Sequence, residues 1–350
     1  LNDFDETLPG PFEWDVKRLA ASVEVAGRER GFSATERRTA VLAAAEAYRK
    51  AMREFAGQTN LAVWYASLDI EAALAKYGEL LSPKGLKRTE KMLAKARTRD
   101  SMQALARLTT RVDGEIRIIS DPPLVVPVEE MVEADEVDRL YEALRAYIRS
   151  YRRSLQPDRR ALLEQFHLVR MAHKVVGVGS VGLRAWILLM EGIDGSDPMF
   201  LQAKQAEASV LEPVAGRSGL ANHGQRVVLG QRLMQATSDI FLGWQRGEGI
   251  DGVPRDFYVR QLRDWKASAD PERMVPSGAA LYARLCGWTL ARAHARSGDR
   301  VAIAAYLGSS DTFDHAVAEF AVAYATQNEQ DHSALLAAMA EGRVVAETGV

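Results

Sequence analysis

Strand-forming sequence is concentrated in one part of this chain, residues 171–265, and helical periodicity fills the sequence on both sides of it. The strand-like runs are a short one before a glycine-rich loop and four more at 183–190, 199–204, 240–244 and 257–262. Helices and strands segregated in this way are typical of α+β proteins, because parallel sheets need strands that alternate with crossover helices. The sequence therefore predicts a mostly helical α+β fold with a small antiparallel sheet of five strands.

The helical segments are recognised by apolar residues that recur every three or four positions. Ser33 followed by Glu36 has the pattern of a capping box, which predicts that a helix begins there. Further helices are expected over 13–27, 60–81, 128–166, 224–237 and 276–347, with a strand at 115–119 followed by extended chain over the rest of 114–127. This order divides the chain into a helical lobe over 1–170, a β-rich lobe over 171–265, and C-terminal helices over 266–350 that return to the helical lobe.

Charge and cysteine usage exclude several classes of protein. The 45 basic residues are balanced by 47 acidic ones, and a general nucleic-acid binder needs an excess of Lys and Arg, so that class is not expected. No apolar run is long enough to span a bilayer, so we expect no membrane segment and a cytoplasmic location. Cys286, the only cysteine, lies in an apolar helical setting that predicts a buried, unreactive thiol. The six histidines lack the spacing of a zinc site.

Gly177, Gly179 and Gly182 form a Gly-x-Gly-x-x-Gly loop, with Ser180 inside it. A dinucleotide-binding fold would place a helix after this loop, but the residues that follow favour a strand. A strand–loop–strand hairpin would instead cover the phosphates of ATP, as in protein kinases, which place a lysine on the third strand. Lys204 stands at that position. An ordinary glycine-rich hairpin with a surface lysine is the third interpretation, and the sequence leaves it open.

The kinase interpretation assigns roles to residues around this lysine. In kinases the lysine pairs with a helix glutamate. Glu207 and Glu212 are the nearby candidates. The helix that follows them contains no Glu, so the sequence leaves the partner of Lys204 unsettled. The strand that ends near Gln261 would lead to the hinge, which makes Gln261 a candidate nucleotide contact. Arg260 and Arg263 are candidates for contacting phosphates.

The N-terminal run Asn-Asp-Phe-Asp-Glu at 2–6 gathers three carboxylates around one aromatic residue. Such clusters suit a hard cation such as Mg²⁺, which prefers oxygen ligands, and the alternative is an acidic, frayed terminus. A Trp-Asp helix start follows at 14–15, and the combination resembles the metal-binding segment of aminoglycoside-phosphotransferase-like kinases. That resemblance implies Asp3 and Asp5 as metal ligands and Asp15 as a support for their loop.

Four segments, 2–11, 174–182, 224–228 and 293–299, together resemble the bacterial domain-of-unknown-function family 2252 over essentially the whole chain. The acidic motif precedes the glycine loop, the reverse of the order in ordinary kinases, so we expect a two-lobed, kinase-like fold with circular permutation. Members of that family carry a Gly-Asp-x-His-x-x-Asn loop before the acidic motif, which resembles the catalytic loop of phosphotransferases. Because the chain starts at Leu1, after that point, we expect the catalytic base to lie in an upstream segment.

These expectations define three hypotheses about function. The first is an ATP- and Mg²⁺-dependent phosphotransferase whose acceptor is a small molecule, a sugar or a protein. The second is a nucleotide-binding pseudokinase or interaction module without turnover. The third is a different enzyme on an unrelated α+β fold, which would place Asp3 far from Lys204.

Overall fold

The computed structural model describes residues 1–68, 86–87, 101–113, 115–175, 184–248, 252–262 and 271–345. Its helices are α1 (Phe12–Glu29), α2 (Ala34–Ala56), α3 (Asn60–Tyr65), α4 (Ser101–Leu108), α5 (Val137–Arg152), α6 (Pro157–Leu163), α7 (Glu212–Ala215), α8 (His223–Met234), α9 (Pro276–Ser297), α10 (Arg300–Leu307) and α11 (Thr312–Ala340). Its strands are β1 (Thr109–Val112), β2 (Glu115–Ile118), β3 (Val125–Pro127), β4 (His167–Lys174), β5 (Ala185–Glu191), β6 (Pro198–Ala206), β7 (Gly243–Glu248) and β8 (Pro254–Gln261). None of the helices in this part of the chain is both long enough and apolar enough to cross a bilayer.

Local sequence sets the helix boundaries near the N-terminus. The Glu36 N–H donates to Ser33 Oγ at 3.3 Å and the Ser33 N–H donates to Glu36 Oε2 at 2.8 Å, which confirms the predicted capping box of α2. The helix predicted over 60–81 is confirmed at its start only. It ends at Tyr65 because Ala66 leaves the helical conformation, and the predicted remainder from residue 69 lies almost entirely outside the described residues.

Helices from both ends of the chain form one helical body, in which α1, α2 and α3 pack with α9, α10 and α11. Its core is apolar and includes Val16, Val41, Tyr48, Met52, Phe55, Leu290, Leu307 and Val317. A Cβ atom on Gly287 of α9 would lie 2.1 Å from the Ala44 carbonyl oxygen, so α9 and α2 approach backbone to backbone. A buried ion pair joins α2 to α11, with Arg49 Nη2 at 2.7 Å from Asp314 Oδ2.

The main sheet has six antiparallel strands among the described residues, in the order β3-β4-β5-β6-β8-β7, and β1 pairs with β2 in a separate hairpin. The predicted five strands are therefore too few. The additional edge strand is β3, which pairs with β4 over three residues only and ends in a proline, so its sequence does not differ from that of extended chain. The strand β4 begins at His167, earlier than the sequence indicated.

The sheet is covered on both faces. On one face α5 packs its Ile148 and Tyr151 against an apolar cluster that includes Leu188 and Leu201. On the opposite face α4 covers one end, and α8 covers the other end. The helices of the 128–166 region thus lie against one face of the sheet. On the opposite face, polar residues occupy the middle, between α4 and α8.

Candidate functional site

Lys204 lies in the interior of the sheet, on β6, where it is paired with Ala185 of β5 and Tyr258 of β8. Its side chain is 14% exposed. Its Nζ atom lies 3.5 Å from Asp5 Oδ2 and 5.8 Å from the centroid of the Tyr258 ring. The sheet lysine and the N-terminal acidic motif, which are far apart in sequence, therefore meet in one polar centre.

Tyr258 forms the floor of this centre and is buried. Burial raises the pKa of the Tyr258 phenol well above its ordinary value, and the neighbouring Asp5 carboxylate raises it further. Tyr258 is therefore a neutral phenol at physiological pH and adds no charge to the centre.

A buried aromatic residue anchors the acidic motif. Phe4 packs between α8 and the sheet in an apolar cluster with Val227, Leu242 and Tyr258. The Thr7 N–H donates to the Phe4 carbonyl at 3.0 Å and closes a turn around the motif. Because Phe4 is anchored in the apolar cluster, the motif is held against the face of the sheet that carries Lys204.

Arg226 of α8 holds the backbone of the motif. Its guanidinium is buried and donates to three carbonyl oxygens, those of Asp5 at 2.7 Å, Thr7 at 2.7 Å and Glu207 at 2.9 Å. Burial lowers the pKa of Arg226, and the negative charges of Glu6, Glu212 and Asp5 oppose that shift. One side chain thus ties α8, the end of β6 and the acidic motif together.

Two glycines of α8 permit this close packing. A Cβ atom on Gly230 would lie 2.5 Å from Thr7 Oγ1, and one on Gly224 would lie 2.2 Å from the Phe257 carbonyl oxygen. Any larger side chain would push α8 away from the motif or from β8. The glycines at these positions therefore set the distance between the helix and the polar centre.

The other two predicted acidic residues lie elsewhere on the motif and on α1. The Asp3 side chain is 64% exposed and pairs with Arg18 at 3.1 Å. Asp15 accepts from His294 Nε2 at 3.1 Å, and the His294 Nδ1 atom lies 2.8 Å from the Tyr48 hydroxyl. Asp5, rather than Asp3, is the carboxylate that contacts the sheet lysine, and Asp15 connects α1 to α9 and α2.

The described candidates Glu207, Gln261 and Glu212 have other contacts. Glu207 Oε1 accepts from Gln205 Nε2 at 2.7 Å. The Gln261 N–H donates to the Asp239 carboxylate, so this backbone donor is already engaged. Glu212 Oε1 accepts from the Ser218 N–H at 3.3 Å, and no ion pair joins Glu212 to Lys204. Among the described residues the ionic partner of Lys204 is therefore Asp5.

The glycine loop, with Gly177, Gly179, Ser180 and Gly182, lies outside the described residues, as does Arg263. Its flanking strands are described, and β4 pairs antiparallel with β5. The loop therefore connects two adjacent strands of a hairpin. This topology agrees with the strand–loop–strand prediction and contradicts a dinucleotide loop, which would lead into a helix.

Two residues of the centre were not identified from the sequence. Arg226 precedes Val227, Val228 and Leu229 on a helix without acidic residues, so its own helix offers it no ionic partner. Tyr258 belongs to a strand whose register was unknown, so its pairing with Lys204 carried no signal. Both residues are recognised only when β6, β8 and α8 are brought together.

The described residues contain no group of three or more His, Cys, Asp and Glu side chains arranged as a metal cluster. A surface cleft of about 570 Å³ lies away from the polar centre, between α2, α9 and α11, and is lined by Glu46, Arg49, Arg284 and His315 among others. A second cleft of about 310 Å³ lies between α1 and α11. Neither cleft is lined by Lys204 or Asp5.

The fold and the site define a mixed α+β protein in which a sheet lysine and an N-terminal acidic motif form one centre, fixed by a buried arginine. The family model described as "Uncharacterized protein conserved in bacteria (DUF2252)" matches residues 1–338, and the chain belongs to that family. No curated protein and no solved structure matches the chain.

Proposed function

We propose that this chain is a Mg²⁺- and nucleotide-dependent phosphotransferase with a permuted, kinase-like arrangement of parts. The observation that carries the proposal is the ion pair between Lys204 and Asp5, with Nζ and Oδ2 at 3.5 Å. A lysine on the strand after a glycine-loop hairpin and an aspartate of a metal motif are the two groups that kinases bring together around the phosphates.

The chemistry of phosphoryl transfer explains why these two groups belong together. The transferred group carries its charge on oxygen atoms, and catalysis depends on positioning and on electrostatic stabilisation. Lys204 would hold the phosphates of the donor, and Asp5 would hold a metal ion whose charge neutralises them. In the absence of a nucleotide, the two side chains neutralise each other across the centre.

The donor set fits magnesium. Mg²⁺ is bound through one or two carboxylates together with substrate phosphates and water, so the three-residue cluster that other metals require is not needed. Asp5 faces the centre, and Asp3 is two residues away on the same motif. The metal, when bound with nucleotide, supplies positive charge that neutralises the phosphate oxygens.

The support of the centre would differ from that of ordinary kinases. Their lysine pairs with a glutamate on the helix that follows the lysine strand. The corresponding helix here is α8, which contains no Glu and instead uses Arg226 to hold the backbone of the acidic motif. In this proposal the helix positions Asp5, and Asp5 positions Lys204.

Nucleotide binding without turnover is the second candidate. Asp3 and Asp5 are assigned to the metal, and the other described carboxylates around Arg226 accept structural hydrogen bonds: Glu6 from the Val210 N–H, Glu207 from Gln205 and Glu212 from the Ser218 N–H. None of these described carboxylates is therefore assigned as a base. This observation favours binding over turnover for residues 1–350 taken alone.

Calorimetric titration tests the proposal. Mg·ATP and Mg·GTP are titrated into the wild type and into the Lys204→Ala and Asp5→Asn variants, with Lys50→Ala, an exposed lysine of α2, as the control. We expect Mg²⁺-dependent binding of a nucleotide by the wild type and the control, and a loss of at least about tenfold in affinity in both site variants. If folded wild-type protein binds neither nucleotide, the proposal is wrong.

A measurement of nucleotide hydrolysis or transfer then separates the two candidates. Turnover that is lost in Asp5→Asn supports the phosphotransferase. Tight binding without turnover supports the binding module.

A further inference from the structure

A second polar pair lies beside Lys204 on the same face of the sheet. Gln202 of β6 is paired with Arg260 of β8, and Lys204 is paired with Tyr258. Residues that are paired across strands, and residues two apart on one strand, share a face. Lys204 and Arg260 are therefore diagonal neighbours, with Cβ atoms about 7 Å apart.

Arg260 is held by an amide instead of a carboxylate. Its Nε and Nη2 atoms donate to Gln202 Oε1 at 3.2 Å and 3.1 Å, and Gln202 is 3% exposed. Within the described part of the chain, no carboxylate forms an ion pair with Arg260. An arginine has five N–H groups, so these two bonds leave three N–H groups of Arg260 for another acceptor.

The order of residues along the sheet gives the pair a direction. Lys204 is paired with Ala185, the first residue of β5, so it lies at the end of the sheet where the glycine loop joins β4 and β5. Arg260 lies two residue pairs further from that loop, directly before Gln261, the last residue of β8. A ligand with its phosphates at Lys204 and its base directed away from the loop would extend over Gln202 and Arg260.

We infer that Arg260, fixed by Gln202, contacts the base of the bound nucleotide and selects guanine over adenine. The inference rests on the proposed function. Guanine presents two acceptors, O6 and N7, on one edge, and arginine is the side chain that matches them. Adenine presents an amino group in place of O6, which would face the N–H groups of Arg260 donor against donor.

Gln202 strengthens this selectivity. An amide side chain can recognise adenine by accepting a hydrogen bond from its amino group and donating to its ring nitrogen. Here Gln202 Oε1 already accepts two hydrogen bonds from Arg260, which use both lone pairs. The acceptor that adenine requires is therefore engaged, and the remaining N–H groups of Arg260 favour a keto purine.

Competition between Mg·GTP and Mg·ATP, measured by calorimetry on the full chain, tests the inference. The variants are Arg260→Leu, which removes the donors, and Arg260→Lys, which keeps the charge without the planar fork. Arg246→Leu is the control, because Arg246 is an exposed arginine of the same sheet. Thermal melting establishes that each variant is folded.

We expect the wild type and Arg246→Leu to bind Mg·GTP about tenfold more tightly than Mg·ATP, and both Arg260 variants to lose that preference. A wild type that binds the two nucleotides equally, or prefers Mg·ATP, overturns the inference and leaves the proposed function intact. An equal loss of both nucleotides in Arg260→Leu assigns Arg260 to the phosphates and also overturns it. If neither nucleotide binds the wild type, the proposed function and the inference fail together.

Discussion

Replacing Arg226 with methionine tests how the acidic motif is held, independently of any ligand. Arg226 donates three hydrogen bonds of 2.7, 2.7 and 2.9 Å to backbone carbonyls, and each bond from a charged donor contributes roughly 1.5–3 kcal/mol. Their sum is an upper limit, because the released carbonyls regain water and the cost of burying the guanidinium is recovered. We expect Arg226→Met to lower the free energy of unfolding by about 2–4 kcal/mol.

Hydrogen exchange locates the effect. The Thr7 N–H is bonded to the Phe4 carbonyl and the Val210 N–H to the Glu6 carboxylate, so both amides report on the docked motif. In Arg226→Met we expect them to exchange at least roughly 30-fold faster, because the motif opens locally before the protein unfolds.

Arg232→Met is the matched control. Arg232 is a half-buried arginine of α8 that donates to the Leu242 carbonyl and lies over the Trp244 ring, 5.9 Å from its centroid, instead of donating to the backbone of the motif. We expect this variant to lose stability and to keep the Thr7 and Val210 amides protected. Equal exchange at these two amides in both variants, or no change in Arg226→Met, would refute the role assigned to Arg226.

Three further predictions concern the helical body, and each is checked by urea unfolding. Arg49→Met should cost about 3–5 kcal/mol because it leaves Asp314 buried without its partner, and a second change, Asp314→Leu, should recover most of that loss. Gly287→Ala should cost about 1–3 kcal/mol through its clash with α2, whereas Gly278→Ala in the same helix meets no close atom and should be neutral or stabilising. Tyr48→Phe should cost about 1–2 kcal/mol at pH 7 by removing a buried hydrogen bond. Burial raises the pKa of Tyr48, so the neutral phenol stabilises the folded state below about pH 10 and this stabilisation is lost at higher pH. The difference in the free energy of unfolding between wild type and Tyr48→Phe should therefore shrink above about pH 10.

Much of the fold could be predicted from the sequence because strong local signals were present. The capping box at Ser33 and the β-rich run that became β5 and β6 are each determined by neighbouring residues. The family resemblance was carried by short motifs and was confirmed over residues 1–338. The strand β3 was missed because three residues with a terminal proline carry no periodic signal.

The site was predictable in its parts but not in its contacts. Lys204 and the acidic motif were identified from residue type and spacing, whereas the pairing of Asp5 with Lys204 and of Asp3 with Arg18 depends on how the motif folds against the sheet and α1. The role of Arg226 depends on carbonyl groups of two distant segments. Hydrogen bonds to backbone carbonyls leave no pattern in the sequence, because every residue carries the same acceptor.

The construction of the helical body from both ends of the chain has a consequence for synthesis in the cell. About 220 residues separate the last residue of α2, at 56, from the first residue of α9, at 276. At translation rates of about 5–20 residues per second, the apolar face of α2 waits roughly 10–45 s for its partner helix. During that interval Tyr48 and Met52 are exposed to other chains and to chaperones, while the sheet can fold from segments that lie close together. The helices made later therefore complete the core that the helices made earlier began.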